Sequence, residues 1–276
     1  MKEPQTTPLG EIKGKLLVFG GIYSNWQALQ AIRGVANELA IPKENIICTG
    51  DVVAYCAQPE ACVEAMKNWG VHCIAGNVEI QLRSGQENCA CDFTEGSRCD
   101  NFSKEWYPFA QAQLSEASLA WMRTLPEFLS FSYAGKKGIV VHGSYHNTSE
   151  FIFASTDWKV KQQNFAATNT DLILAGHCGL PFAQERTNQH WLNAGVIGMP
   201  ANDGTPRVWY LVLDDEGGEL SYEYHALTYD FKEANRQMQA QQLTPAYAKT
   251  LLTGIWDNCE ILPAKETQLQ GQAYHF

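Results

Sequence analysis

Five short apolar runs, each followed by turn residues, constrain the fold of this chain more than any other feature. They are "KLLVF" (15–19), "NIICT" (45–49), "VHCIA" (71–75), "GIVV" (138–141) and "DLILA" (171–175). Continuous apolar runs of this length, rich in Val, Ile and Leu, read as strands buried in a sheet. Between the first three lie amphipathic stretches at 25–39 and 59–69, the second opening on Pro59, whose fixed φ suits a first helical turn. Strand, helix, strand, helix, strand predicts a parallel sheet with crossover helices.

The rest of the chain has a different rhythm. Residues 106–125 read as a helix, "FLSFSY" and "KKGIVV" as an antiparallel pair around Ala134 and Gly135, and 155–167 as another helix. Strand character returns over 190–226, where "VWYLVLDD" and "LSYEYHAL" flank Gly217-Gly218, a hairpin signal. Parallel units followed by antiparallel strands predict an α/β fold of two packed mixed β-sheets flanked by helices. With 276 residues, 45% of them hydrophobic, the chain is long enough for one domain over 1–276. A cysteine-containing insertion at about 82–105 and C-terminal helices at about 229–254 are expected within it, and the tail beyond Pro263 reads as polar and poorly ordered.

Charge narrows the partners. The 20 Lys and Arg against 30 Asp and Glu give a formal net charge of −10, which repels nucleic-acid backbones and anionic membrane surfaces. No apolar run reaches the ~18 residues of a membrane span. The start "MKEPQTTPLGEIKGK" is polar and broken by Pro4, Pro8 and Gly10, unlike a secretory signal. The expectation is a cytoplasmic protein with no nucleic acid as bulk partner and no membrane. Its nine cysteines are accordingly expected to stay thiols or to bind metal rather than to form a disulfide framework.

Open α/β sheets place their ligands at the carboxyl ends of the strands. There the apolar runs continue as "CTGDVV", "IAGNVE", "VVHGSY" and "LAGHCG", presenting Asp51, Asn77, His142 and His177, each beside a glycine that permits a tight turn. Taken singly, each such residue is more often a turn, a cap or a hydrogen-bonded structural residue than a ligand. Together, one carboxylate, one amide oxygen and two imidazoles suit a divalent transition metal such as zinc, manganese or iron.

With these residues in this order, the sequence resembles the calcineurin-like metallophosphoesterases, particularly their small bacterial branch, over about residues 15–226. That family carries Asp-x-His, Gly-Asp, Gly-Asn-His-Asp or -Glu, a strand ending in His, and Gly-His-x-His. The corresponding places here read Gly21-Ile22-Tyr23, Gly50-Asp51, Gly76-Asn77-Val78-Glu79, His142-Gly143 and Gly176-His177-Cys178-Gly179. The stretches "GDVVAYCAQP" and "HWLNAGVIGMPANDGTPRVWYLVL" add to the likeness. The resemblance implies a metallophosphoesterase-like sandwich, with two metal ions at the strand ends sharing a bridging carboxylate. It implies also that the places of the first ion's own ligands, Gly21, Tyr23 and Gly179, lack the usual donors. The second ion's set is complete in Asp51, Asn77, His142 and His177. Val78 stands where the family has the His that assists the leaving group, and an isopropyl group cannot donate a proton.

What the resemblance implies is a metal-dependent phosphoesterase, cleaving phosphomonoesters or phosphodiesters of a small phosphorylated substrate with one divalent ion (Mn, Fe or Zn). Loss of an ion and of the acid costs several powers of ten in rate, while a single ion still serves as a Lewis acid. Two other readings stand beside it. One is a phosphoesterase fold retired from catalysis and serving as a binding or scaffold module; the other is a cysteine-assisted metal or redox sensor. For the latter, Cys89 and Cys91 in the insertion and Cys178 beside His177 are candidate replacement ligands, against their ordinary reading as structural or free thiols. Tyr23 is a candidate hydrogen-bond donor to a phosphoryl oxygen, or else fills the vacated space, and His146 is a candidate substitute acid. Arg83 and Arg98 could offset substrate charge, and Asn25 is expected to cap the first helix. His72, His190, His225 and His275 read as structural.

Overall fold

The computed structural model describes residues 6–276; residues 1–5, part of the polar start, lie outside the described residues. In chain order, β1 (Thr6–Glu11) precedes a unit of β2 (Leu16–Phe19), α1 (Trp26–Glu38), β3 (Ile46–Cys48), α2 (Pro59–Trp69) and β4 (His72–Cys73). Helices α3 (Asn77–Arg83), α4 (Arg98–Gln113) and α5 (Glu116–Thr124) follow, then β5 (Phe128–Tyr133), β6 (Lys136–Val140), α6 (Trp158–Thr168) and β7 (Leu172–Ala175). The chain continues with β8 (Pro181–Arg186), β9 (Gln189–Ala194), β10 (Val208–Asp214), β11 (Ser221–Leu227), α7 (Phe231–Ala240), α8 (Pro245–Thr253) and α9 (Ala264–Gln268).

Two mixed sheets result. The five-stranded one runs β11-β10-β2-β3-β4, with β2, β3 and β4 parallel and the β10–β11 hairpin antiparallel. The six-stranded one runs β1-β5-β6-β7-β9-β8, parallel at β6-β7-β9. All four side chains of β2 are fully buried, which is why its sequence shows no polar alternation. Leu16 and Val18 cluster with Ile47, Leu172 and Leu211 from both sheets, while Leu17 and Phe19 cluster with Leu29, Ile32 and Val63 from α1 and α2. Each of these side chains contributes about 1.5–3 kcal/mol by leaving water. Among the described residues no helix is long and apolar enough to cross a membrane.

Three local expectations change. The helix expected over 106–125 is two helices, because Leu114 is extended and Ser115 caps α5 by accepting from the Ser118 N–H. Strand β1 adds a parallel edge to β5 through "TTPLGE", a stretch with no strand signal of its own. The tail beyond Pro263 forms α9 and then lays the rings of Tyr274 and Phe276 near Trp209, with Phe276 stacked 4.3 Å from Tyr224.

The first strand-to-helix turn is pinned by Asn25. Its side-chain oxygen accepts from the Ala28 N–H at 3.2 Å and its amide donates to the Gly198 carbonyl at 3.0 Å, tying α1 to the loop after β9. Asn25→Ala removes both bonds from a buried site, with an expected cost of about 1–3 kcal/mol. A lowered urea midpoint with an unchanged slope is the expected result, and an unchanged midpoint contradicts the assignment.

Candidate metal centre

The site is assembled from turns at the carboxyl ends of β3, β4, β6 and β7. After β3, Gly50 and Asp51 both take left-handed backbone, with φ of 97° and 57°. A Cβ on Gly50 would lie 2.6 Å from the Gly76 nitrogen, and one on Gly76 would collide with the Asp51 carboxylate. Only glycines let these two turns touch. Glu79, fully buried on α3, locks them together: its carboxylate accepts from the N–H groups of Asp51 at 2.8 Å, Gly76 at 2.9 Å and Val53 at 3.2 Å. Burial and the nearby Asp51 charge raise the pKa of Glu79 above the usual carboxylate range, against the pull of those N–H donors.

At the centre stands His142. Its Nδ1 lies 2.6 Å from the Thr49 carbonyl, which accepts only if Nδ1 carries the proton, so Nε2 of the neutral ring presents a lone pair. That Nε2 is 3.1 Å from Asn77 Oδ1, 3.1 Å from His177 Nδ1 and 3.2 Å from Asp51 Oδ2. The Asn77 amide is turned this way round because its nitrogen donates to the Cys89 carbonyl at 2.9 Å and meets Cys91 Sγ at 3.4 Å. Donor atoms of Asp51, His142 and His177 all lie within 4.8 Å of one another, and all three residues are buried. A single proton on Nε2 could serve one of its three neighbours, whereas a cation among them would serve all four atoms. Burial opposes charge on His142, but Asp51, the Thr49 carbonyl and Glu79 hold its pKa above the ordinary value. Burial and the His142 ring push His177 down to about 3, outweighing Asp51, so His177 is a neutral donor at physiological pH. The donor set fits a divalent transition metal.

Beside this cluster opens a cavity with about 760 Å³ of empty space, counting the part open to solvent. Asp51, Asn77 and His177 face it, and aromatic rings make much of its wall. Tyr23, at φ 54°, lays its ring where a Cβ on Gly21 would need to be, 2.6 Å from two ring carbons. It meets Tyr55 edge-on at 4.7 Å, and Tyr55 in turn meets Tyr247 at 4.6 Å. Trp256, held by its indole N–H on the Pro200 carbonyl, lies over Gly179, its ring carbons 3.3 Å from where a Cβ would stand. Tyr23 thus fills the space beside Gly21 and also lines the cavity; burial raises its hydroxyl far above the usual phenol range, so it keeps the proton with which a phenol donates a hydrogen bond.

The other sequence candidates are not drawn in. His146 is exposed, beside the Tyr145 ring, and does not line the cavity. Arg83 donates to the carbonyls of Met122 and Leu125 at the end of α5, and Arg98 pairs with Asp257 at 2.6 Å. The expectation that the cysteines stay thiols or bind metal is corrected at one pair. Cys89 and Cys91 are joined to each other in a disulfide, the left-handed Ala90 between them folding the segment back on itself. Neither is a thiolate ligand in that state. Cys178 reaches the cavity, but burial pushes its thiol up to about 12 and its sulfur meets the Leu180 carbonyl and the Asn193 amide. No cysteine joins the cluster of donors among the described residues. Sequence reasoning passed over Glu79 as a clamp, although it sits in the quoted "GNVE". It had no signal for Trp256 or Tyr247, which come from the C-terminal segment.

Comparison with known proteins agrees with this geometry. A family profile described as the calcineurin-like phosphoesterase superfamily domain matches residues 24–216. An uncharacterised protein of Methanocaldococcus jannaschii is 23% identical over 258 residues, covering 88% of this chain and 99% of that one. A hypothetical protein from Pyrococcus horikoshii has a similar structure, with a TM-score of 0.73 at 19% identity over 88% of this chain and 99% of that chain. A metallophosphoesterase from Sphaerobacter thermophilus superposes with a TM-score of 0.68 at 20% identity, over 88% and 100% of the two chains. At these identities the two structures show a shared fold, that of two mixed sheets with helices. With the family profile spanning most of the sandwich and the donor cluster at its strand ends, the chain belongs to the calcineurin-like phosphoesterase superfamily.

Proposed function

We propose that this protein is a metal-dependent phosphoesterase working with one divalent transition ion, manganese, iron or zinc, held by Asp51, Asn77, His142 and His177. The observation that carries the reading is the set of three donor atoms lying within 3.2 Å of His142 Nε2 in a buried, oriented cluster. When bound there, such an ion supplies Lewis acidity toward a phosphoryl oxygen and a water of lowered pKa. The chain's own contribution is orientation. The Thr49 carbonyl keeps the His142 proton on Nδ1, the Cys89 carbonyl keeps Asn77 Oδ1 aimed inward, and Glu79 holds the Asp51 turn against the Asn77 turn.

One ion rather than two is supported by what covers Gly21 and Gly179. The rings of Tyr23 and Trp256 stand over these glycines, at the places where the family resemblance puts ligands of a first ion. Aromatic carbon there offers no donor. Val78, buried next to Asn77, supplies no proton to a leaving oxygen, which favours esters whose leaving group departs as a weakly basic anion. Membership of the superfamily supports small phosphate esters as the substrate class.

Equilibrium dialysis against Mn²⁺ or Zn²⁺ followed by elemental analysis is expected to give one ion per chain. His177→Ala is expected to lose that ion and to lower hydrolysis of bis(4-nitrophenyl) phosphate at least about 100-fold. Turnover persisting in the metal-free variant would place the chemistry elsewhere. Gly21→Asp is expected to destabilise the fold by about 1–3 kcal/mol through overpacking against Tyr23, without recruiting a second ion. A variant as stable as the parent that takes up two ions would refute the filled position.

A further inference from the structure

The charge and lining of the cavity point to the substrate class, an inference that rests on the one-ion reading above. We infer that the cavity accepts a singly charged phosphodiester bearing a flat aromatic arm, and discriminates against dianionic monoesters and polyphosphates.

The first observation is electrostatic. No lysine or arginine lines the cavity among the described residues. Its rim carboxylate, Asp257, is already neutralised by Arg98, whose guanidinium lies 2.6 Å away, and Arg83 is spent on helix-end carbonyls. His177 is neutral. A divalent ion with the Asp51 carboxylate leaves at most one net positive charge facing the ligand, and the buried Glu79 carboxylate behind the Asp51 turn can only lower it. A phosphodiester monoanion balances that charge. A monoester dianion leaves an excess negative charge against a wall rich in aromatic rings, where no cationic side chain meets it, and a polyphosphate leaves more. Enzymes for highly charged phosphates supply Lys or Arg for this reason.

The second observation is the shape of the wall. Phe93 stacks on Phe151 at 6.5 Å, and Phe151 stacks on the His177 ring at 4.4 Å, so a ladder of rings runs from the cavity wall to a donor of the cluster. Tyr247 and Trp256 line the same space. A flat arm gains both apolar burial and ring-to-ring contact there, which an alkyl arm does not match. Both observations are independent of the metal's identity.

The test uses the full-length protein, loaded with one equivalent of Mn²⁺ as verified by elemental analysis. Diphenyl phosphate, diethyl phosphate and phenyl phosphate are titrated into it by calorimetry near neutral pH. Diphenyl phosphate is expected to bind at least about ten-fold tighter than either of the others. Phe93→Ala is expected to erase most of the advantage over diethyl phosphate while leaving Mn²⁺ affinity unchanged. Phe93→Lys, which adds a cation to the wall, is expected to raise the affinity for phenyl phosphate. If phenyl phosphate matches diphenyl phosphate in the Mn²⁺-loaded protein, the charge argument is overturned. If diethyl phosphate matches it, or neither Phe93 variant alters the preference, the aromatic argument falls. Failure to take up Mn²⁺ at all is a separate outcome: it overturns the one-ion reading, and this inference with it.

Discussion

Four potential ligand atoms face one another at the heart of this molecule, and the architecture around them is what keeps them there. Asp51 Oδ2, Asn77 Oδ1 and His177 Nδ1 surround His142 Nε2 at 3.1–3.2 Å, all four residues buried and all but His142 lining the cavity. Such a cluster is costly without positive charge at its centre. The backbone is also held against its preference, since Asp51 and His177 adopt φ of 57° and 61°. Neighbouring contacts outweigh that cost. Glu79 binds three N–H groups from two turns, and Asn193 donates to the Gly176 carbonyl just before His177. Stability is sacrificed at the centre and recovered in the shell, the usual distribution at a functional site.

The second organising feature is aromatic carbon packed over two glycines. Tyr23 over Gly21 and Trp256 over Gly179 are matched pairs, each ring occupying room that the glycine's missing side chain leaves free. Gly21 cannot gain a side chain while the Tyr23 ring stays in place, and at Gly179 the Trp256 ring would have to give way slightly. Glycine and ring are therefore coupled at both places, and together they set the character of the cavity wall. One side is a polar cluster able to hold a cation. Much of the rest is a wall of Tyr, Phe and Trp rings from the turns after β2 and β3, the segment between α3 and α4, the loop after β6 and the C-terminal segment.

Much of the fold was legible because local pattern and tertiary outcome coincide in the first hundred residues. The stretches 25–39 and 59–69 correspond to α1 and α2, and the apolar run at 15–19 became β2, buried on both faces. Where the outcome differed, a local cap or a long-range contact decided it. Ser115 serves as an N-cap and so splits a continuous helical pattern. The polar tail is anchored by two rings, and Cys89 finds Cys91 because Ala90 folds the chain back. None of these three follows from periodicity, which averages over the single residues responsible.

By itself the sequence determined most of the strands, β1 and β8 excepted, and which donors stand at their ends, because strand burial and glycine-permitted turns are encoded within a few consecutive residues. Only the tertiary structure decided that the four donors converge on one point and that aromatic rings cover Gly21 and Gly179. Convergence depends on the packing of two sheets against each other, and while Tyr23 sits two residues from the glycine it covers, Trp256 arrives from a segment without any local mark. Arg98 and Asp257, 159 positions apart, bind each other beside the cavity, and Trp256 is carried to Gly179 next to that contact. Contacts of that span are set by how the whole core packs, and no short stretch of chain contains them.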